Sequence, residues 1–102
     1  MEHRVVRSGT WLYDESVPRP VYLVQLDYDF WYEVAKADGM LQPNEQADLN
    51  ADGVLYYVCF RDVPPEPPIW VDSPGFASLE LAAGHAQARV PSPITWASRA
   101  DH

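Results

Sequence analysis

A single cysteine, Cys59, rules out an internal disulfide and fits a reducing compartment. The three histidines, His3, His85 and His102, are widely separated, and no pair stands at metal-ligand spacing. A metal centre is therefore not expected. Glycine is sparse, at positions 9, 39, 53, 75 and 84, without the clustering that wraps backbone amides around a phosphate. That excludes the common nucleotide-binding loops, and no cofactor is expected. Basic residues are also scarce: seven Lys and Arg against fifteen Asp and Glu leave a net charge of -8. This is the wrong sign for gripping a phosphate backbone, so nucleic acid is not an expected partner.

Long apolar runs are missing too. Nothing approaches the roughly 18 consecutive apolar residues that cross a bilayer, and Met1-Glu2-His3-Arg4 leads into no signal-like segment. A soluble cytoplasmic protein with no membrane attachment is the expectation. Apolar residues nevertheless make up 47% of the chain and aromatics 13%, far from the composition of a disordered segment. With 102 residues, one domain over 1–102 is expected, loosening into a flexible tail from about residue 98.

Between Val21 and Ala35 the even positions Tyr22, Val24, Leu26, Tyr28, Phe30, Tyr32 and Val34 are apolar, while Gln25, Asp27, Asp29 and Glu33 occupy odd ones. A period of two predicts one long strand, the spine of an antiparallel sheet, bent or bulged along its length. Arg4 to Tyr13, interrupted by Ser8-Gly9, reads as its hairpin partner. Asp14 to Pro20 forms the turn between them. Ala37-Asp38-Gly39 closes the spine, and a polar loop from Met40 to Asp52 follows, with a short helical turn after Pro43.

Val54 to Arg61 reads as a third strand, apolar on both faces and hence central or covered twice. The run Val63-Pro64-Pro65-Glu66-Pro67-Pro68 is a stiff spacer, and Ile69-Trp70-Val71 a short strand beyond it. Phe76 to Val90 is the expected helix, with Ser78 as N-cap, Glu80 and Arg89 suited to its two ends, and Leu79, Ala82, Ala83, Ala86 and Val90 along one stripe. Ile94-Thr95-Trp96 adds an edge strand. The resulting class is α+β: a twisted, mainly antiparallel sheet of four or five strands in the order β-β-β-(β)-α-β, with one C-terminal helix on one face.

Few of these features carry chemistry. Asp48-Leu49-Asn50-Ala51-Asp52-Gly53 matches the first half of a calcium loop, with Asp48, Asn50 and Asp52 as ligands. The twelfth position is Cys59 instead of a bidentate carboxylate, so an Asp-Gly turn entering a strand is the expectation. Cys59 itself, among Tyr57, Val58 and Phe60, reads as a small core hydrophobe. Arg61 with Pro64 and Pro67 has the pattern of a polyproline ligand, but its position between strands makes it a connector.

Thirteen aromatic rings exceed what one thin sheet–helix interface hides, so some should line a cleft or an interface. Trp31, apolar among Asp27, Asp29 and Glu33, is the foremost candidate. These four residues form the expected contact surface of a small acidic, non-catalytic interaction module, its partner a protein, preferably basic, or a second copy as a homodimer. Small bacterial inhibitors, immunity proteins and antitoxins have this general character, an analogy of fold class and composition only. The alternative is a small-molecule binder or modest enzyme with an aromatic pocket between helix and sheet, containing Tyr56, Tyr57 and His85.

Overall fold

The computed structural model describes residues 2–97, and the tail expected from about residue 98 lies outside them. The elements run β1 (His3–Tyr13), β2 (Val17–Leu26), α1 (Phe30–Ala37), β3 (Leu55–Cys59), α2 (Leu79–Arg89) and β4 (Thr95–Trp96). The four strands form one antiparallel sheet in the order β3-β2-β1-β4. The class is α+β, as the strand and helix patterns predict, with α2 packed on the sheet.

The hairpin turn is tighter than expected. Ser16 N–H donates to Tyr13 C=O (3.1 Å) across Asp14 and Glu15, which both take left-handed φ angles, 51° and 62°. Two such residues twist a hairpin in the sense its strands require. β2 therefore starts at Val17 and runs through Pro18 and Pro20, opposite Leu12 and Thr10. Both prolines are tolerated because β3 pairs only with Tyr22 to Leu26, so their missing N–H groups deprive no neighbouring strand. The irregularity in β1 falls at Val6, between Val5 and Arg7, not at Ser8-Gly9. Gly9 serves another end: a Cβ there would stand 2.6 Å from the Trp96 ring and 2.7 Å from Ile94, so glycine lets β4 lie against β1.

The expected spine strand from Val21 to Ala35 is instead a strand followed by a helix. β2 ends at Leu26, and the chain turns and enters α1 at Phe30. Asp29 caps that helix, its carboxylate accepting from Tyr32 N–H at 3.2 Å, with Glu33 in the first turn and Lys36 in the last. Phe30, Tyr32 and Val34 satisfy a period of two, but Phe30 and Val34 are also one helical turn apart and both meet the same core. Gly39 (φ 70°) ends the helix: Gly39 N–H bonds Lys36 C=O and Met40 N–H bonds Ala35 C=O, the paired closure of a Schellman motif. The expected helical turn after Pro43 is only a β-turn, Glu45 N–H to Gln42 C=O.

Alternation along β2 and β3 feeds two cores. One face carries Val24, Leu26, Leu55, Tyr57 and Cys59, closed by Phe30 of α1 and by Val71. The other carries Val21, Leu23 and Val58, closed by Ala82 and Ala86 of α2. The alanines let α2 settle close to the strands, and Ser78 caps it by accepting from Leu81 N–H at 3.2 Å. β3 is thus covered on both faces, though it stands at the edge of the sheet instead of its centre.

Residues 69–71 form no strand, yet the chain from Asp72 to Phe76 closes the outer edge of β3. Asp72 N–H donates to Val58 C=O (2.9 Å), Phe76 and Tyr56 exchange two bonds of 2.8 Å, and side chains supply the rest. The Ser73 hydroxyl accepts from Val58 N–H, and the Asp72 carboxylate from Phe60 N–H, each at 2.8 Å. With Pro74 in this run a regular ladder is impossible, and Ser73 and Asp72 satisfy the edge amides in its place. Ser73 is buried. Ser73→Ala is expected to lower stability by about 1–3 kcal/mol, because Val58 N–H loses its acceptor away from water; urea unfolding measures this directly.

Candidate functional site

α1 and the edge segment meet at an aromatic corner. Trp31, the second residue of α1, donates its indole N–H to Ser73 C=O at 2.8 Å and remains 40% exposed. Trp70, 54% exposed, meets it edge-to-face with ring centroids 5.7 Å apart. Phe30 packs edge-to-face beneath both, at 4.9 Å from Trp31 and 5.3 Å from Trp70. Beside them an open groove of about 480 Å³ is lined by Trp31, Val71, Asp72, Ser73 and Pro74.

Arg61 fixes the far side of this corner. Its guanidinium lies 3.1 Å from an Asp72 carboxylate oxygen and donates to Trp70 C=O at 3.2 Å. The arginine of the polyproline-like pattern is thereby committed to its own chain. The Trp31–Ser73 bond and the Arg61 clamp hold the groove walls from both sides, so little side-chain entropy remains to be lost when something docks there.

The acidic residues singled out with Trp31 do not line one strand face. Asp27 accepts from Glu2 N–H at 2.7 Å and holds the N-terminal end against the sheet. Asp29 caps α1 with one oxygen and accepts from Asp48 N–H at 2.9 Å with the other. Trp31 and Glu33 belong to α1. The Tyr28 phenol, just ahead of α1, is pushed above its ordinary value by burial and then by Asp27 and Glu33.

The residues of the alternative pocket are split between the two faces of the sheet, Tyr57 on one and Tyr56 with His85 on the other. Tyr57 is fully buried in the core closed by α1, and its hydroxyl accepts from Phe30 N–H at 2.8 Å. Tyr56 projects to the other face, where the neighbouring α2 places His85 against Phe76 at 5.1 Å. Adjacent strand residues point to opposite faces, so no single cleft holds both tyrosines. The Nε2 atom of His85 is buried without a hydrogen-bond partner among the described residues.

The calcium-like loop is a turn. Asn50 Oδ1 accepts from Asp52 N–H and Val54 N–H at 2.9 and 3.0 Å, while its amide donates to Ala77 C=O. Its oxygen is thus engaged by backbone, and Gly53 (φ 76°) completes the bend into β3. Among the described residues, no three His, Cys, Asp or Glu side chains converge to hold a metal ion.

Cys59 is buried, its sulfur 3.6 Å from Trp70 C=O. Burial, reinforced by Asp72 and only partly opposed by Arg61, pushes the thiol up to about 12 from 9.0. The Tyr57 phenol rises to about 12 from 10.0, chiefly through burial. In the unfolded chain both groups ionise first, so raising pH from about 9 towards 12 favours unfolding. The contribution of these two groups is constant below that window and is lost within it. Urea midpoints at about pH 8 and about pH 11 test this, with a shallower fall expected for Cys59→Ala.

Trp70 is the site residue that the sequence pattern hides. Its neighbours Ile69 and Val71 suggest a strand, whereas the prolines at 67, 68 and 74 keep the segment out of a ladder and leave the ring half in solvent. Among the described residues no helix is long and apolar enough to cross a membrane. No family model matches the chain, and no match was found among curated proteins or solved structures.

Proposed function

We propose that this chain is a small, non-catalytic interaction module that docks a protein partner on the aromatic corner of Trp31 and Trp70. The observation that carries the reading is the exposure of two adjoining tryptophans, 40% and 54%, fixed in place by the Ser73 and Arg61 contacts. Rigid, half-exposed aromatics in a patch with a polar rim are the usual anchors of protein interfaces. Glu33 on the same helix, with Asp27 and Asp29 at its entrance, supplies negative potential that favours a basic partner. An inhibitor or immunity-like role fits this size and charge.

Affinity capture with the purified chain tests the reading, using Trp31→Ala with Trp70→Ala against a control, Leu81→Ala, an exposed apolar residue on α2. A specific partner should be retained by the parent chain and by Leu81→Ala and be lost from the tryptophan variant. Equal retention by all three would remove this corner from consideration. Charge reversal at Asp27 or Asp29 is a poorer probe, since both carboxylates also hold backbone amides.

A further inference from the structure

Resting on that reading of the corner, we infer the chemistry of what docks there: a segment of a partner protein that places an apolar side chain in the Trp31 groove between flanking lysines or arginines. The groove walls favour an apolar occupant. Trp31, Val71 and Pro74 form most of the lining, and the one carboxylate in it, Asp72, is paired with Arg61. At about 480 Å³ and open to solvent, the groove suits a side chain carried on a peptide, while a small ligand would find few convergent polar groups to orient it.

The surroundings favour basic flanks. From the end of β2 to the start of β3 the acids are Asp27, Asp29, Glu33, Asp38, Glu45, Asp48 and Asp52, against Lys36 alone. The Asp48–Asp29 bond ties this loop to the start of α1, and the Asn50–Ala77 bond ties it to the segment just after Pro74. The acidic loop is therefore anchored on the same side as the groove. The neighbouring bases are committed: Arg61 pairs with Asp72, and Arg89 donates to Asp72 C=O while its guanidinium lies over Phe60. A second copy is disfavoured as occupant, because two chains of charge -8 would set acid against acid across a two-fold contact.

Three synthetic peptides test the inference on the full chain: a Leu-Phe-Leu centre flanked by lysines, the same centre flanked by glutamates, and a lysine-only peptide. Binding is followed by anisotropy of a dye on each peptide, and the oligomeric state of the chain by sedimentation. The lysine-flanked peptide should bind at least about tenfold more tightly than either comparison peptide, weaken as salt rises, and lose about tenfold or more with Trp31→Ala. Equal binding of the glutamate-flanked peptide would overturn the charge assignment. Equal binding of the lysine-only peptide would overturn the apolar anchor. Failure of the lysine-flanked peptide to bind, or dimerisation abolished by Trp31→Ala, would overturn the inference as a whole. Because the peptide comparison uses the unaltered chain, it does not depend on the folding of a variant. A partner captured through Trp31 and Trp70 whose docking segment proves acidic or neutral would sink this inference and leave the interaction reading standing.

Discussion

Tyr57→Ala should destabilise the fold by about 3–5 kcal/mol. The side chain is fully buried among Val24, Leu26, Phe30 and Leu55, so truncation opens a cavity at the centre of one core. It also takes away the hydroxyl that accepts from Phe30 N–H at 2.8 Å. That amide is the first of α1 and has no partner within the helix. Tyr57→Phe separates the two contributions: it keeps the ring and removes only the acceptor, and is expected to cost about 1–3 kcal/mol. If Tyr57→Phe proves neutral in urea unfolding, water satisfies the Phe30 amide and the hydroxyl does not position α1.

The second large effect concerns binding. Trp70→Ala combined with Trp31→Ala should weaken the partner complex by about fiftyfold or more while leaving most of the stability intact. Lost burial of half of one tryptophan's surface, about 100 Å² at about 25 cal/mol per Å², already amounts to about 2.5 kcal/mol, and the second ring adds to it. Both rings lie at the surface, so the folded chain loses edge-to-face contacts and one indole hydrogen bond but opens no deep cavity. Binding and stability should therefore separate, in contrast to Tyr57→Ala. Isothermal titration on variants whose folding is confirmed by circular dichroism measures the first and thermal unfolding the second. A variant that binds as tightly as the parent would show that the partner docks elsewhere.

Much of the architecture was legible from the chain itself. Ser78 and the alanine stripe mark α2, the β-branched and aromatic run around Tyr57 marks β3, and the alternation ending at Leu26 marks β2. These signals come from burial, and burial repeats with the period of the element. The pattern misled where two periods coincide over a short span. Phe30, Tyr32 and Val34 alternate like a strand, but the Asp29 cap and the core beneath Phe30 make them a helix. Capping at Asp29 is a local signal that outweighs three alternating residues. Propensity for β-structure depends on sheet partners, and after Leu26 none remain, since β3 pairs with β2 only from Tyr22 to Leu26.

The candidate site was legible by half. Trp31 stands out as an aromatic among acids, and the structure leaves it exposed. Trp70 could not be paired with it from sequence, because the two meet only after the chain passes from Arg61 through the proline run and is clamped to β3 by Ser73 and Asp72. Such side-chain-to-backbone bonds have no periodic signature. The same blindness covers Asp27 and Asp29, which look like a solvated stripe and prove to be fastenings for Glu2, α1 and Asp48.

The four tryptophans offer the most direct test. Trp31 and Trp70 form the exposed corner, whereas Trp11 and Trp96 pack against the core on the α2 side. Each indole N–H gives its own signal in a nitrogen–proton correlation spectrum of the labelled chain. On titration with the captured partner, the Trp31 and Trp70 signals should shift or broaden while those of Trp11 and Trp96 stay in place. Shifts confined to Trp11 and Trp96, with Trp31 and Trp70 unmoved, would contradict the assignment of the contact surface.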